Sequence, residues 1–200
     1  MTEWTSLDYA VADVEGNGQQ PSDLVELAIL PITGGVIGES VSWLVKPPQP
    51  IRHFATSIHG ITNEGVVAAP AFADIEHEVR RALTGRALVA HNAHVDVGVL
   101  RQELAGWEPA EVFDTLKLAR RLLPGRPSYK LGALVKALSL DEDIAPGLTP
   151  HRAAYDVLVT ARLFARLATR HDGSPVSLRE LRGQSRDPES GGTDVPASLF

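Results

Sequence analysis

Leu7 to Val14 is a mostly apolar run, and from Leu24 to Ile32 the residues Val25, Leu27 and Ile29 alternate with Glu26, Ala28 and Leu30. Both patterns predict β-strands. Thr33-Gly34-Gly35 reads as a tight turn. A third strand is predicted from Val36 to Val45, with Val41, Trp43 and Val45 on one face, and Pro47-Pro48 and Pro50 end it. Three strands with short links suggest an antiparallel meander. The period then changes: Phe72, Ile75, Val79 and Leu83 recur every three or four residues, the stripe of an amphipathic helix running to about Gly85. Beyond it strand and helix alternate. Ala87 to Ala90 and Glu111 to Asp114 read as strands. Helices are predicted over Val95 to Leu104, through Leu116, Ala119 and Leu123, and over Leu131 to Leu138; a last one starts around Pro150-His151 and carries Tyr155, Leu158, Leu163 and Leu167. A meander followed by alternation predicts an α/β fold with a mixed central sheet flanked by helices.

A length of 200 residues suits one hydrophobic core. The expected division is a domain over 1–172 and a C-terminal extension over 173–200, because Gly183 to Val195 is rich in Gly, Ser, Asp, Glu and Pro and has the composition of a flexible segment. The absence of cysteine excludes a thiolate nucleophile, disulfides and Cys-ligated metal. No basic leader is visible, and no run approaches the ~20 apolar residues of a membrane span. A soluble, cytoplasmic protein is expected.

Charge narrows the chemistry further. Nineteen Lys and Arg against 25 Asp and Glu give a net charge of −6, which argues against a wide basic surface gripping nucleic acid. Carboxylates gathered around divalent cations would be counted as negative all the same, although the bound ions reverse the local sign. The positions of the acids therefore decide.

Asp13 and Glu15 lie two apart at the end of the first predicted strand, so both side chains leave the same face. Alone, such a pair is most often a solvated strand end. In His91-Asn92-Ala93-His94-Val95-Asp96 a short strand runs into polar residues, and Asp96 enters the next helix. There it serves equally well as a first-turn dipole partner or as a metal ligand. His151 precedes Asp156 by five residues, which on a regular helix turn through about 140°. The two share no helical face, so His151 belongs at or just before the helix N-terminus, where it suits a base acting beside a fixed carboxylate.

Together, Asp13 and Glu15, then Asp96, then His151 and Asp156 resemble the three motifs of the DEDDh, or DnaQ-like, exonuclease family. The resemblance runs from about Asp8 to Arg166. Ser57-Ile58-His59-Gly60-Ile61-Thr62, Phe113-Asp114-Thr115-Leu116 and Tyr129-Lys130-Leu131-Gly132-Ala133-Leu134 are similar to connecting segments of the bacterial polymerase III epsilon proofreading subunit and its relatives. What the resemblance implies is a ribonuclease-H-like fold and hydrolysis of phosphodiester bonds from the 3′ end, releasing nucleoside monophosphates. Asp13, Glu15, Asp96 and Asp156 would hold two divalent cations, Mg2+ or Mn2+, and His151 would be the general base. Val14, Gly16, His59 and Tyr129 are the candidates for lining the nucleotide site.

The chain departs from the family pattern in two places. Asp13-Val14-Glu15-Gly16-Asn17-Gly18 stands where the epsilon subunit has Asp-Thr-Glu-Thr-Thr-Gly, and Val95 replaces the aromatic that usually precedes the second-motif Asp. Recognition of the terminal nucleotide is where these differences act.

The expected substrate is the 3′ end of single-stranded or frayed DNA, in proofreading or repair. An RNA exonuclease resembling ribonuclease T or oligoribonuclease is the alternative within the enzyme class, and a non-catalytic polymerase- or clamp-binding module the alternative outside it. Ser198-Leu199-Phe200 is similar to the end of a peptide that docks into the sliding clamp, which makes the clamp or DNA polymerase III a candidate partner.

Overall fold

The computed structural model describes residues 2–144 and 146–184. Six strands form one mixed sheet. β1 (Tyr9–Gly16) pairs antiparallel with β2 (Leu24–Thr33); β3 (Val36–Ile37) and β4 (Val41–Leu44) both pair antiparallel with β2. On its other side β1 runs parallel to β5 (Ala87–Ala90), which runs parallel to β6 (Val112–Asp114). The ribonuclease-H-like order is thus β3-β2-β1-β5-β6, with β4 beside β2.

The strand predicted over Val36 to Val45 is two strands. Gly38 sits between them, its N–H donating to the Pro31 carbonyl at 2.9 Å, and a β-carbon there would meet the Pro31 ring at 3.0 Å. That close approach bends the chain out of the ladder.

Alternation along β1 divides the core. Tyr9 and Val11 pack toward the face covered by α4 (Thr115–Leu122), α5 (Leu131–Leu138) and α6 (Ala153–Leu167), where Trp4, Tyr9, Phe113 and Phe164 form an aromatic cluster. Ala10 and Ala12 pack toward α2 (Phe72–Leu83) and α3 (His94–Glu103). A helix that no apolar stripe announced, α1 (His53–His59), covers the start of β2 through a small cluster of Val25, Ile51, Ala55, Ile61 and Val66.

Buried packing continues past residue 172. Val176 and, from α7 (Leu178–Leu181), Leu178 and Leu181 are buried in the same cluster as Trp4. Trp4 N–H donates to the Val176 carbonyl and Leu178 N–H to that of Thr2. Three apolar residues in six suffice to pin this segment. Residues 185–200, including Ser198-Leu199-Phe200, lie outside the described residues. No helix among those described is long and apolar enough to cross a membrane.

Candidate active site

The alternation that buries Tyr9 and Val11 against α6 sends Asp13 and Glu15 to the same side as β1 ends. Asp156 waits there, in the first turn of α6. One carboxylate oxygen from each of Asp13, Glu15 and Asp156 lies within 4.8 Å of the others. Asp96 arrives from the opposite face, on α3, and is 5% exposed; one of its oxygens accepts the Val14 N–H at 3.1 Å. It stands against Asp13 rather than inside the three-residue cluster, because its helix packs on the other side of β1.

The helices bearing Asp96 and Asp156 are entered in the same way. Asn92, two residues before α3, has φ 69°, and His151, two residues before α6, has φ 63°. Left-handed backbone at a non-glycine residue is uncommon and costs about 1–2 kcal/mol. His151 is exposed and outside the helix, as its five-residue offset from Asp156 requires. Its backbone N–H and its ring both lie close enough to Asp156 to favour that carboxylate's charged form.

Packing several acids together away from water should resist their ionisation. Burial, then the charges of Asp96, Asp156 and Glu15, hold the Asp13 carboxyl well above the usual range. Burial and Asp156 push Glu15 up to about 8, and burial raises Asp96 to about 7 and Asp156 to about 6. Asp13 Oδ2 is buried and meets no hydrogen-bond donor among the described residues. A carboxylate oxygen left so, inside a group of like charges, calls for a cation.

A fifth carboxylate belongs to this neighbourhood. Glu26 lies directly opposite Glu15 across the β1–β2 ladder and is 4% exposed. Like charges so placed repel. Here Arg152 sits on Glu26 with both Nε and Nη2, while Ala153 N–H donates to the same carboxylate at 3.0 Å. Glu26 is therefore committed to the start of α6. Sequence reading placed it only as one residue of an alternating strand; the available signal was a lone charge in the apolar run from Leu24 to Ile32.

The four candidates for substrate contact divide. Val14 and Gly16 flank Glu15 at the open end of β1, and a β-carbon on Gly16 would run into Ser22 Oγ. His59 is buried with both nitrogens engaged: Nδ1 accepts the Ile61 N–H at 3.0 Å and Nε2 faces the Gly16 carbonyl at 3.3 Å. It supports the strand end from beneath. Tyr129 donates its hydroxyl to the Leu123 carbonyl at 2.8 Å and so shapes its own loop.

The Exonuclease family model (RNase_T) matches residues 2–164. The chain belongs to the exonuclease family. This exonuclease-family chain is 34% identical over 174 residues to exodeoxyribonuclease 10 of Escherichia coli K12, an alignment that covers 87% of the chain and 74% of that protein. It is also 34% identical over 186 residues to the 3′-5′ exonuclease DinG of Bacillus subtilis 168, covering 89% of the chain but only 19% of that larger protein. Among solved structures, exonuclease X in complex with 5′ overhanging duplex DNA superposes with a TM-score of 0.69 at 34% identity, covering 86% of this chain and 98% of that one. The nuclease domain of 3′hExo, a DEDDh family member bound to rAMP, shares the fold with a TM-score of 0.66 at 17% identity.

The donor set fits the family's divalent cations. It offers only carboxylate oxygens, the choice of hard ions such as Mg2+ and Mn2+, and among the described residues Asp13 Oδ2 has no competing donor.

Proposed function

We propose that this is a cytoplasmic 3′–5′ exonuclease, dependent on divalent cations, that hydrolyses the terminal phosphodiester bond of single-stranded or frayed DNA and releases nucleoside 5′-monophosphates in proofreading or repair. The observation that carries it is the convergence of Asp13, Glu15 and Asp156 around an unpartnered buried oxygen, with Asp96 behind and His151 outside the helix. DNA is preferred to RNA as substrate because a relative at 34% identity over 87% of the chain is named an exodeoxyribonuclease.

Asp13, Glu15, Asp96 and Asp156 would hold two Mg2+ or Mn2+ ions, which when bound would supply Lewis-acid stabilisation of the charge that develops on the phosphoryl oxygens and on the leaving 3′ oxygen. His151 accepts the proton of the attacking water as its oxygen bonds to phosphorus and the bond to the 3′ oxygen breaks. Its place two residues ahead of α6 leaves the ring free to approach while Asp156 stays fixed. Val14 and Gly16 border the terminal nucleotide, with His59 as buried support and Tyr129 along the groove.

The test is degradation of 5′-labelled single-stranded DNA and matched RNA with Mg2+ or Mn2+, comparing the intact protein with Asp13→Ala and His151→Ala. A ladder shortening from the 3′ end, faster on DNA and lost in both variants, is expected. No turnover of either polymer would overturn the reading in favour of a binding module, and faster RNA turnover would reassign the substrate. Docking of Ser198-Leu199-Phe200 on DNA polymerase III or a sliding clamp belongs to the same reading, and is tested by binding of the purified clamp with and without those three residues.

A further inference from the structure

The carboxylate site occupies the end of β1, and a cavity of about 600 Å3 opens at the same end of the sheet. β5 runs parallel to β1 with Val89 opposite Val11, so His91, just past the end of β5, lies at the same end of the sheet as Asp13. The loop carrying Ser128, Tyr129 and Lys130 forms the far wall, with Arg120 between.

These walls are held from within. His91 Nε2 lies 3.0 Å from the Tyr129 carbonyl, so that nitrogen carries the proton and donates; Nδ1 lies 2.9 Å from Thr115 Oγ1. Tyr129 Oη also takes the Arg126 N–H at 3.3 Å. The cavity's exposed lining residues are Arg120, Pro127 and Lys130, two of them cations. Arg120 and Lys130 are exposed and take part in no ion pair among the described residues, whereas Arg80, Arg101, Arg152, Arg170 and Arg182 each sit on a carboxylate. Four other cavities each have Asp or Glu in their walls, and this one has none among the described residues. In a chain of net charge −6, an acid-free hollow with two uncommitted cations beside the carboxylate site suits a polyanion.

We propose that this cavity seats the sugar–phosphate backbone upstream of the scissile bond, with Arg120 and Lys130 meeting phosphates. The inference rests on the exonuclease reading and adds the path of the strand. With Val14 and Gly16 bordering one side of the terminal nucleotide, the remainder leaves across β5.

The experiment uses the full chain and two substrates, a 12-nucleotide single strand and the p-nitrophenyl ester of thymidine 5′-phosphate, which is too short to reach the cavity. In the double variant Arg120→Gln/Lys130→Gln the KM for the 12-mer should rise about tenfold, and the slope of log affinity against log salt should weaken by about 1.4, from ~0.7 per lost single-strand phosphate contact. Turnover of the ester should not follow. Arg80→Gln/Arg81→Gln, the same charge change on α2 across the sheet from the cavity, should keep the wild-type KM and slope. An unchanged 12-mer KM and slope, an equal loss on the ester, or the same effect from the distant pair would each overturn the proposal. Anisotropy of the labelled 12-mer in EDTA separates the two readings. Wild-type binding that the double variant loses supports the cavity even if no turnover is found, and no binding by the wild type overturns it.

Discussion

Glu26 and Arg152, 126 residues apart in the chain, meet through two parallel hydrogen bonds at the point where β2 faces the start of α6. The carboxylate is buried, and the guanidinium is 44% exposed. His151 is next to Arg152, and Asp156 lies one turn further along. The pair thus anchors the segment carrying two of the five catalytic candidates. Glu26→Ala leaves an uncompensated arginine and an unpaired Ala153 N–H, and should cost about 2–3 kcal/mol in urea unfolding, less than for a fully buried pair. Arg152→Lys keeps the charge but loses the fork. Its kcat should fall at least tenfold with KM nearly constant; a change in KM alone would show that the anchor does not position the chemistry.

Stability without metal should fall as pH rises. Glu15, Asp96 and Asp156 hold their protons to about 8, 7 and 6, above the values of an unfolded chain near 4. Between those limits the folded state binds more protons than the unfolded one, so the stability present at low pH is lost as pH passes through the folded values. In EDTA the Tm should therefore drop by several degrees from pH 5 to pH 8.5, and added Mg2+ or Mn2+ should restore more at pH 8.5 than at pH 5. A pH-independent Tm in EDTA would show that the acids are not packed as described.

The segment after 172 should behave as part of the core. Leu181 is 2% exposed and Leu178 3% exposed, both against the cluster that includes Trp4. Leu181→Ala should cost about 2–4 kcal/mol in chemical denaturation, and truncation after residue 174 should cost more. Truncation without loss would place the end of the folded domain at 172.

The elements with strong periodicity were legible in the sequence: the β1–β2 pair, the stripe of α2, and the alternation from β5 onward. The five catalytic candidates came from their resemblance to the family's three motifs; spacing by itself said only that Asp13 and Glu15 share a strand face and that His151 lies off the helix face of Asp156. What escaped depends on contacts between distant residues. Glu26 stands out in the sequence only as a lone charge in an apolar strand, and its role comes through Arg152, which the chain brings up from the far end of the fold. α1 has no apolar stripe, since Phe54 and Ile58 are exposed while Ala55 and His59 are buried. The break at Gly38 follows from its approach to Pro31, and the docking of α7 from three apolar residues too few to show a period.

Asn92 and His151 place the same backbone turn before two different helices, and this gives them opposite fates under selection for robustness alone. Glycine fits φ near +65° without the steric cost that other residues meet. Asn92→Gly keeps the backbone N–H that donates to Asp114 Oδ1 at 3.1 Å, so it should be neutral or raise Tm slightly while nucleolysis persists. His151→Gly should be at least as stable as the parent and nearly inactive. A library screened only for thermal tolerance should therefore discard the imidazole and keep the fold. At position 151 the residue that would relax the chain is not the one that can take a proton.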